Sequence, residues 1–260
     1  MIAKPETEVL VEMPKLNKVK VIILKANSFY GVDKPYDIFI MGRTMLEWVK
    51  HSCFPSYATK EVEYDIKTDV LDAVRPFVED EDWTVVLYSD TPLIKRKTID
   101  DVVDYAITKN VDVCKLQRGY VFKTEYLKTA KEISATTNPN FFDEEDFIVV
   151  NNYQNLSVVE EIMRKKILMA HIKMGVRILD INSVSIDALT VVRAGVVIYP
   201  NNRIYGKSLI CENVVLEPNN VIFSSIIGEN SKVIASVIKD SKIPKDSTIG
   251  PFKNINNKKS

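Results

Sequence analysis

The sequence predicts an α/β unit with a mostly parallel sheet, joined through a long helix to a short parallel β-helix of hexapeptide repeats. Three patterns predict it. Strand-type and helix-type segments alternate over the first half of the chain. One long amphipathic stretch follows them. After that, aliphatic residues recur at every sixth position.

The elements read as follows. Val19 to Leu24 is an apolar run with the length and β-branched content of a buried strand. Thr44 to Lys50 has helical character. Trp83 to Tyr88 is a second strand, ended by the turn-forming run Ser89-Asp90-Thr91-Pro92. Ile99 to Thr108 is amphipathic, with Val102, Val103 and Ala106 on one side. Tyr120 to Phe122 and Phe147 to Val150 are further strand candidates. In open α/β sheets ligands gather beyond the carboxyl ends of the strands. That points to the loops after Leu24, Tyr88 and Val150. The long helix opens with Ser157 and Glu160 spaced as a capping box and ends at Gly175. The boundary between the two architectures falls near Ile178, giving units of residues 1–177 and 178–260.

The repeat is read as Ile186, Val192, Ile198, Ile204, Ile210, Leu216 and Ile222. The phase then slips by one and continues through Ile227, Val233, Ile238, Ile243 and Ile249. Between them stand turn formers such as Pro200-Asn201-Asn202 and Gly228-Glu229-Asn230. One inward aliphatic residue per short side, with polar corners, describes a triangular solenoid whose coils bury their inner faces only by stacking. About eighteen residues make a coil, so the stretch holds roughly four. The tail from Lys253 to Ser260 is polar and predicts frayed chain.

Composition narrows the function classes. Lys plus Arg and Asp plus Glu number 35 each. That balance argues against nucleic acid or a membrane surface as partner, since both demand positive charge. No run has the length and apolarity of a transmembrane helix, and the segment Met1 to Lys20 lacks a signal-peptide core, so a cytoplasmic location is expected. Three widely spaced cysteines, Cys53, Cys114 and Cys211, read as reduced thiols. His51 and His171 are the only histidines, too few for histidine-based metal or triad chemistry.

Five ordered segments carry a family resemblance. They are Gly42-Arg43-Thr44-Met45-Leu46-Glu47, the run from Pro76 to Asp82, Leu87-Tyr88-Ser89-Asp90-Thr91-Pro92-Leu93-Ile94, Val150-Asn151-Asn152, and Ser247-Thr248-Ile249-Gly250-Pro251-Phe252. In these the chain resembles the bacterial bifunctional family that joins N-acetylglucosamine-1-phosphate uridylyltransferase to glucosamine-1-phosphate acetyltransferase. The resemblance implies a nucleotidyltransferase-like, Rossmann-like domain and a left-handed β-helix. It implies phosphoryl transfer between a nucleotide and a sugar phosphate, with Mg²⁺ held by Asp90 and Asn151. It also implies a homo-oligomer, a trimer in the family. Read without the resemblance, Asp90 shapes its Pro92 turn and Asn151 a loop before the helix.

The chain also departs from the family. The glycine-rich phosphate loop and its arginine are replaced by Leu24-Lys25-Ala26-Asn27-Ser28-Phe29-Tyr30-Gly31. Glycines there bring backbone N–H groups close to phosphate. Their loss leaves Leu24, Lys25, Ala26 and Lys34 as the nucleotide-binding candidates, with Lys25 or Lys34 as compensating charge. The base-reading and sugar-reading motifs are absent, and no histidine follows His171 for acetyl transfer. Acetyltransferase activity is therefore not expected. Two readings stand: a divergent Mg²⁺-dependent nucleotidyltransferase, and a non-catalytic relative with a structural or regulatory role.

Overall fold

The structure, a computed structural model, describes residues 18–133, 136–140 and 142–257. The expectations for most of Met1 to Lys20 and for the last three tail residues lie outside these. The first unit is built on a five-stranded sheet. Its strands are β1 (Val19–Ala26), β2 (Ala58–Tyr64), β3 (Trp83–Tyr88), β4 (Val113–Leu116) and β5 (Gly119–Lys123), in the order β2-β1-β3-β5-β4. β1 is parallel to both β2 and β3. β5 runs antiparallel to β3 and to β4, so an antiparallel hairpin completes one edge. The reason is local: only Gln117 and Arg118 separate β4 from β5, and two residues can connect antiparallel strands but not a parallel crossover.

Both faces of the sheet are covered. Helix α1 (Met45–Cys53) and helix α2 (Arg96–Lys109) bury Val49, Val102, Val103 and Ala106 against Val21, Ile23, Val85 and Leu87. Ile22, Leu24, Val86 and Phe122 point to the opposite core with Leu71 and Leu127. The alternation along β1 is the period-two rule of a strand, here with both faces apolar. α1 starts where Thr44 and Glu47 close a capping box, satisfying two free N–H groups.

Two expectations need correction. Phe147 to Val150 is not a strand. Asp143 caps a single 3₁₀ turn at Glu144–Phe147, and beyond it only the Val150 N–H joins the sheet end, donating to the Asp90 carbonyl at 2.8 Å. The long helix, α3 (Tyr153–Lys173), begins a turn before the expected capping box. Asn152 is the N-cap and accepts from the Asn155 N–H at 2.8 Å, leaving Ser157 and Glu160 inside the helix. Its far end is as expected. Gly175 takes φ +90°, its N–H and that of Val176 closing back on Ile172 and His171.

The second unit is a left-handed parallel β-helix with three faces. The aliphatics six apart from Ile186 to Ile222, and five or six apart from there to Ile243, are all buried in one continuous core, with Ile249 packed against it. Ile186, Ile204, Ile222, Ile238 and Ile255 stack in register along one face. The phase slips not once but three times, at Ile222 to Ile227, Val233 to Ile238 and Ile238 to Ile243, each where a corner is one residue shorter. The corner Gly206-Lys207-Ser208 between strands is matched one coil later by Ser224-Ser225, one residue shorter, and Ser224 turns it at φ +44°. The tail is not wholly frayed: Asn254–Asn256 pairs with Val237–Lys239 because Ile255 continues the inward stack.

Candidate functional site

The parallel strands β1 and β3 end side by side, Leu24 opposite Tyr88. The chain beyond β3 is pinned at once. The Ser89 N–H donates to the Leu24 carbonyl at 2.9 Å, and Ser89 Oγ accepts from the Ala26 N–H at 3.2 Å. Thr91 Oγ1 donates to the Tyr88 carbonyl at 3.0 Å. This fastening places Asp90 at the sheet's carboxyl edge with 0% exposure.

A carboxylate so buried needs a partner. Asp90 has a strong one. Arg118 meets it fork to fork, Nη2 to Oδ2 at 2.6 Å and Nε to Oδ1 at 3.2 Å. Ser28 Oγ adds a bond to Oδ2 at 2.8 Å. The guanidinium lies 4.0 Å from the centre of the Tyr88 ring, an additional cation–π contact. Burial pulls the Arg118 pKa down, but the hydrogen bond and charge of Asp90 outweigh it and the net shift is upward. Burial also raises the Tyr88 hydroxyl, so it stays a neutral phenol at physiological pH.

Asn151 follows Val150, whose N–H is bonded to the Asp90 carbonyl, so the structure brings the two metal candidates to one edge of the sheet. Asn151 is exposed, and its Oδ1 accepts from Asn152 Nδ2 at 2.9 Å and Asn155 Nδ2 at 3.1 Å. It thus belongs to the start of α3 as much as to any ligand. As they stand, these residues do not offer Mg²⁺ an open carboxylate oxygen. The ion reaches Asp90 only if the pair with Arg118 opens. Two acidic clusters elsewhere, Glu79-Asp80-Glu81 and Asp143-Glu145-Asp146, include neither candidate. Both are engaged by lysines, Lys18 and Lys20 in one case and Lys95 and Lys166 in the other.

The nucleotide-binding candidates divide. Leu24 and Ala26 are buried, so only their backbone can face a ligand. Lys25 and Lys34 line a separate cleft of about 670 Å³ that includes neither Asp90 nor Asn151. Lys25 is ion-paired with Glu63 and lies 5.0 Å from the centre of the Tyr36 ring. Its bond to Glu63 raises its pKa. Asp33, Glu63 and Asp65 on the same walls outnumber the two lysines, so the cleft has no surplus of positive charge. Sequence reasoning missed Arg118 altogether. The available signal was its place in a two-residue turn before Gly119, whose φ is +141° and where a Cβ would lie 2.6 Å from the Val86 carbonyl.

The chain is thus an α/β sheet unit followed by a hexapeptide β-helix. No family model matches the chain. Among curated proteins it is similar to several named bifunctional protein GlmU. It is 33% identical to that of Clostridium acetobutylicum, over 52% of this chain and 30% of that protein. It is 36% identical to that of Geobacillus sp. (strain WCH70), over 53% and 30%. With that of Clostridioides difficile it shares 26% identity over 68% of this chain and 53% of the relative. The matches thus span 30% to 53% of the length of these relatives. Among solved structures, a cytidylyltransferase from Leptospira borgpetersenii overlaps 56% of this chain and 86% of its own at a TM-score of 0.43 and 13% identity.

Proposed function

We propose that this chain is a relative of sugar-phosphate nucleotidyltransferases in which Arg118 stands where a divalent ion would neutralise Asp90. In this reading the unit of residues 1–177 keeps the architecture of a nucleotide and sugar-phosphate site but does not carry out metal-dependent transfer. It serves a structural or regulatory role, with residues 178–260 as scaffold. The observation that carries this is the buried fork-to-fork pair of Arg118 and Asp90. Phosphoryl transfer is mostly positioning and charge neutralisation. An Asp90–Arg118 pair has no net charge, whereas a Mg²⁺–carboxylate pair keeps one positive charge for the phosphates. The occupation of Lys25 by Glu63 removes a second source of that charge.

The test is pyrophosphate release from UTP and N-acetylglucosamine 1-phosphate with Mg²⁺, together with Mn²⁺ binding read by electron paramagnetic resonance. The expected result is no release above buffer and no Mn²⁺ bound, with Mn²⁺ binding appearing in Arg118→Ala. Turnover by the unaltered chain, lost in Asp90→Ala, would overturn the proposal. That outcome would establish the catalytic reading, which is favoured by the Val150–Asp90 bond that holds Asn151 beside the Asp90 turn.

Self-association belongs to the same proposal. Val191, Leu209 and Ile226 point outward in register along one face of the β-helix, a stripe suited to a homo-oligomer, a trimer by family resemblance. Sedimentation of the unaltered chain and of Leu209→Lys checks it; a monomer in both would remove this part.

A further inference from the structure

A second concavity lies where the α/β unit meets the β-helix. The turn Met41-Gly42, at φ +48° and +91°, reaches the first β-helix corner, where the Ala188 N–H donates to the Met41 carbonyl at 3.0 Å. Beside it opens a pocket of about 460 Å³, with Leu189 on the β-helix wall and α1 on the other. Small-ligand sites favour such junctions and volumes. It shares no lining residue with the strand-end site or the Lys25 cleft.

One cation at the pocket has no acidic partner among the described residues. Arg43 makes no ion pair and no side-chain hydrogen bond among the described residues, and its buried Nε has no partner. Its guanidinium only rests against the Trp48 ring, 5.4 Å from the centroid. The nearby acids have other partners: Glu47 closes the capping box with the Thr44 N–H, Glu61 pairs with Lys50, and Asp187, packed against Gly42, accepts from the Gly206 N–H at 3.2 Å. His51 lies on the same wall. Burial, then the charges of Arg43 and Arg96, hold its pKa below the usual value. A guanidinium without an acidic partner can take a phosphate oxygen on its remaining N–H groups.

The rest of the wall is aromatic. Phe39 and Phe54 line the pocket and are each 69% exposed, which is unusual for rings that could have been buried. Exposed rings next to a cationic group are the two halves of a nucleotide site, since every base has a face that stacks. We infer that this junction pocket binds a nucleoside monophosphate, its phosphate on Arg43 and its base on Phe39 and Phe54. The inference is independent of whether the Asp90 site transfers anything.

The experiment uses the full chain with uridine 5′-monophosphate, adenosine 5′-monophosphate, inorganic phosphate and uridine as probes. Binding is followed by calorimetry and by Trp48 emission; the only other tryptophan, Trp83, is buried in the sheet core. At least one monophosphate is expected to bind about tenfold more tightly than phosphate or nucleoside alone. Arg43→Gln removes the binding, and Phe54→Ala reduces it to the level of inorganic phosphate. Trp48→Phe keeps the calorimetric signal and loses the optical one. Arg118→Ala binds as the unaltered chain does. Equal binding of inorganic phosphate, unchanged affinity in Arg43→Gln, loss in Arg118→Ala, or no saturable binding would each overturn the inference. Circular dichroism checks that every variant is folded.

Discussion

The two units of the molecule bury polar groups in opposite ways. In the β-helix, buried Asn202, Asn220, Ser208, Ser225 and Ser241 bond to one another and to backbone from coil to coil. Asn220 Nδ2, for example, reaches Asn202 Oδ1 at 3.0 Å, and the Ser241 N–H reaches Ser225 Oγ at 3.1 Å. These groups are neutral and each is satisfied by its own kind in the next coil. In the α/β unit the buried polar groups include acids that rely on residues far away in sequence, Asp90 on Arg118 and Ser28, and Asp146 on Lys95 and Thr98. Repetition disperses the cost of burying polar atoms; a site concentrates it.

The largest way to break this contrast is Arg118→Met. It leaves Asp90 buried without its counter-charge and is expected to cost about 3–5 kcal/mol, measured by urea denaturation. Added Mg²⁺ should recover part of that loss in the variant and none in the unaltered chain, because only the variant offers an open carboxylate. The double change Asp90→Leu with Arg118→Met should cost less than Arg118→Met alone. Ile222→Ala comes next, at about 2–4 kcal/mol, as a cavity in a column that Ile204 and Ile238 continue above and below.

A smaller effect belongs to His171, buried near the end of α3, where burial lowers its pKa from 6.5. The unfolded chain then binds more protons than the folded one below about pH 6.5, so stability rises with pH in that window and levels off above it. His171→Phe should flatten that slope, by at most about 1.4 kcal/mol per pH unit, in denaturation series at stepped pH. Lys25→Met should change stability by under about 1 kcal/mol, because its partner Glu63 is largely exposed. A larger loss on thermal melting would give Lys25 a weight the geometry does not.

What was legible in the sequence follows the same contrast. The β-helix was readable because each aliphatic residue serves one role at a nearly constant spacing, and its steps of five mark shortened corners. The strands at Val19 and Trp83 and the burial of Val102, Val103 and Ala106 were readable from local pattern. The strand proposed at Phe147 was not, because Asp143 competes for the same backbone through a cap. β2 was missed since Ala58 to Tyr64 alternates charge with few apolar residues, as an edge strand does. The turn before Gly119 marked Arg118 as a place but not as a partner of Asp90. The meaning of Arg118 lies in a pair 28 residues apart in sequence, and no local pattern encodes that distance.

Helix α3 is shared between the cores. Val159 and Met163 pack into the α/β unit, Leu168 into the β-helix, and Arg164 between them donates to the Val184 carbonyl at 2.9 Å. The helix is therefore a keyed shaft. One residue inserted between Met163 and Leu168 would turn one end by about 100° relative to the other and advance it by about 1.5 Å. No side-chain adjustment absorbs such a turn. The spacing of those few residues sets the angle at which the two halves of the molecule face each other, and with it the shape of the pocket at their junction.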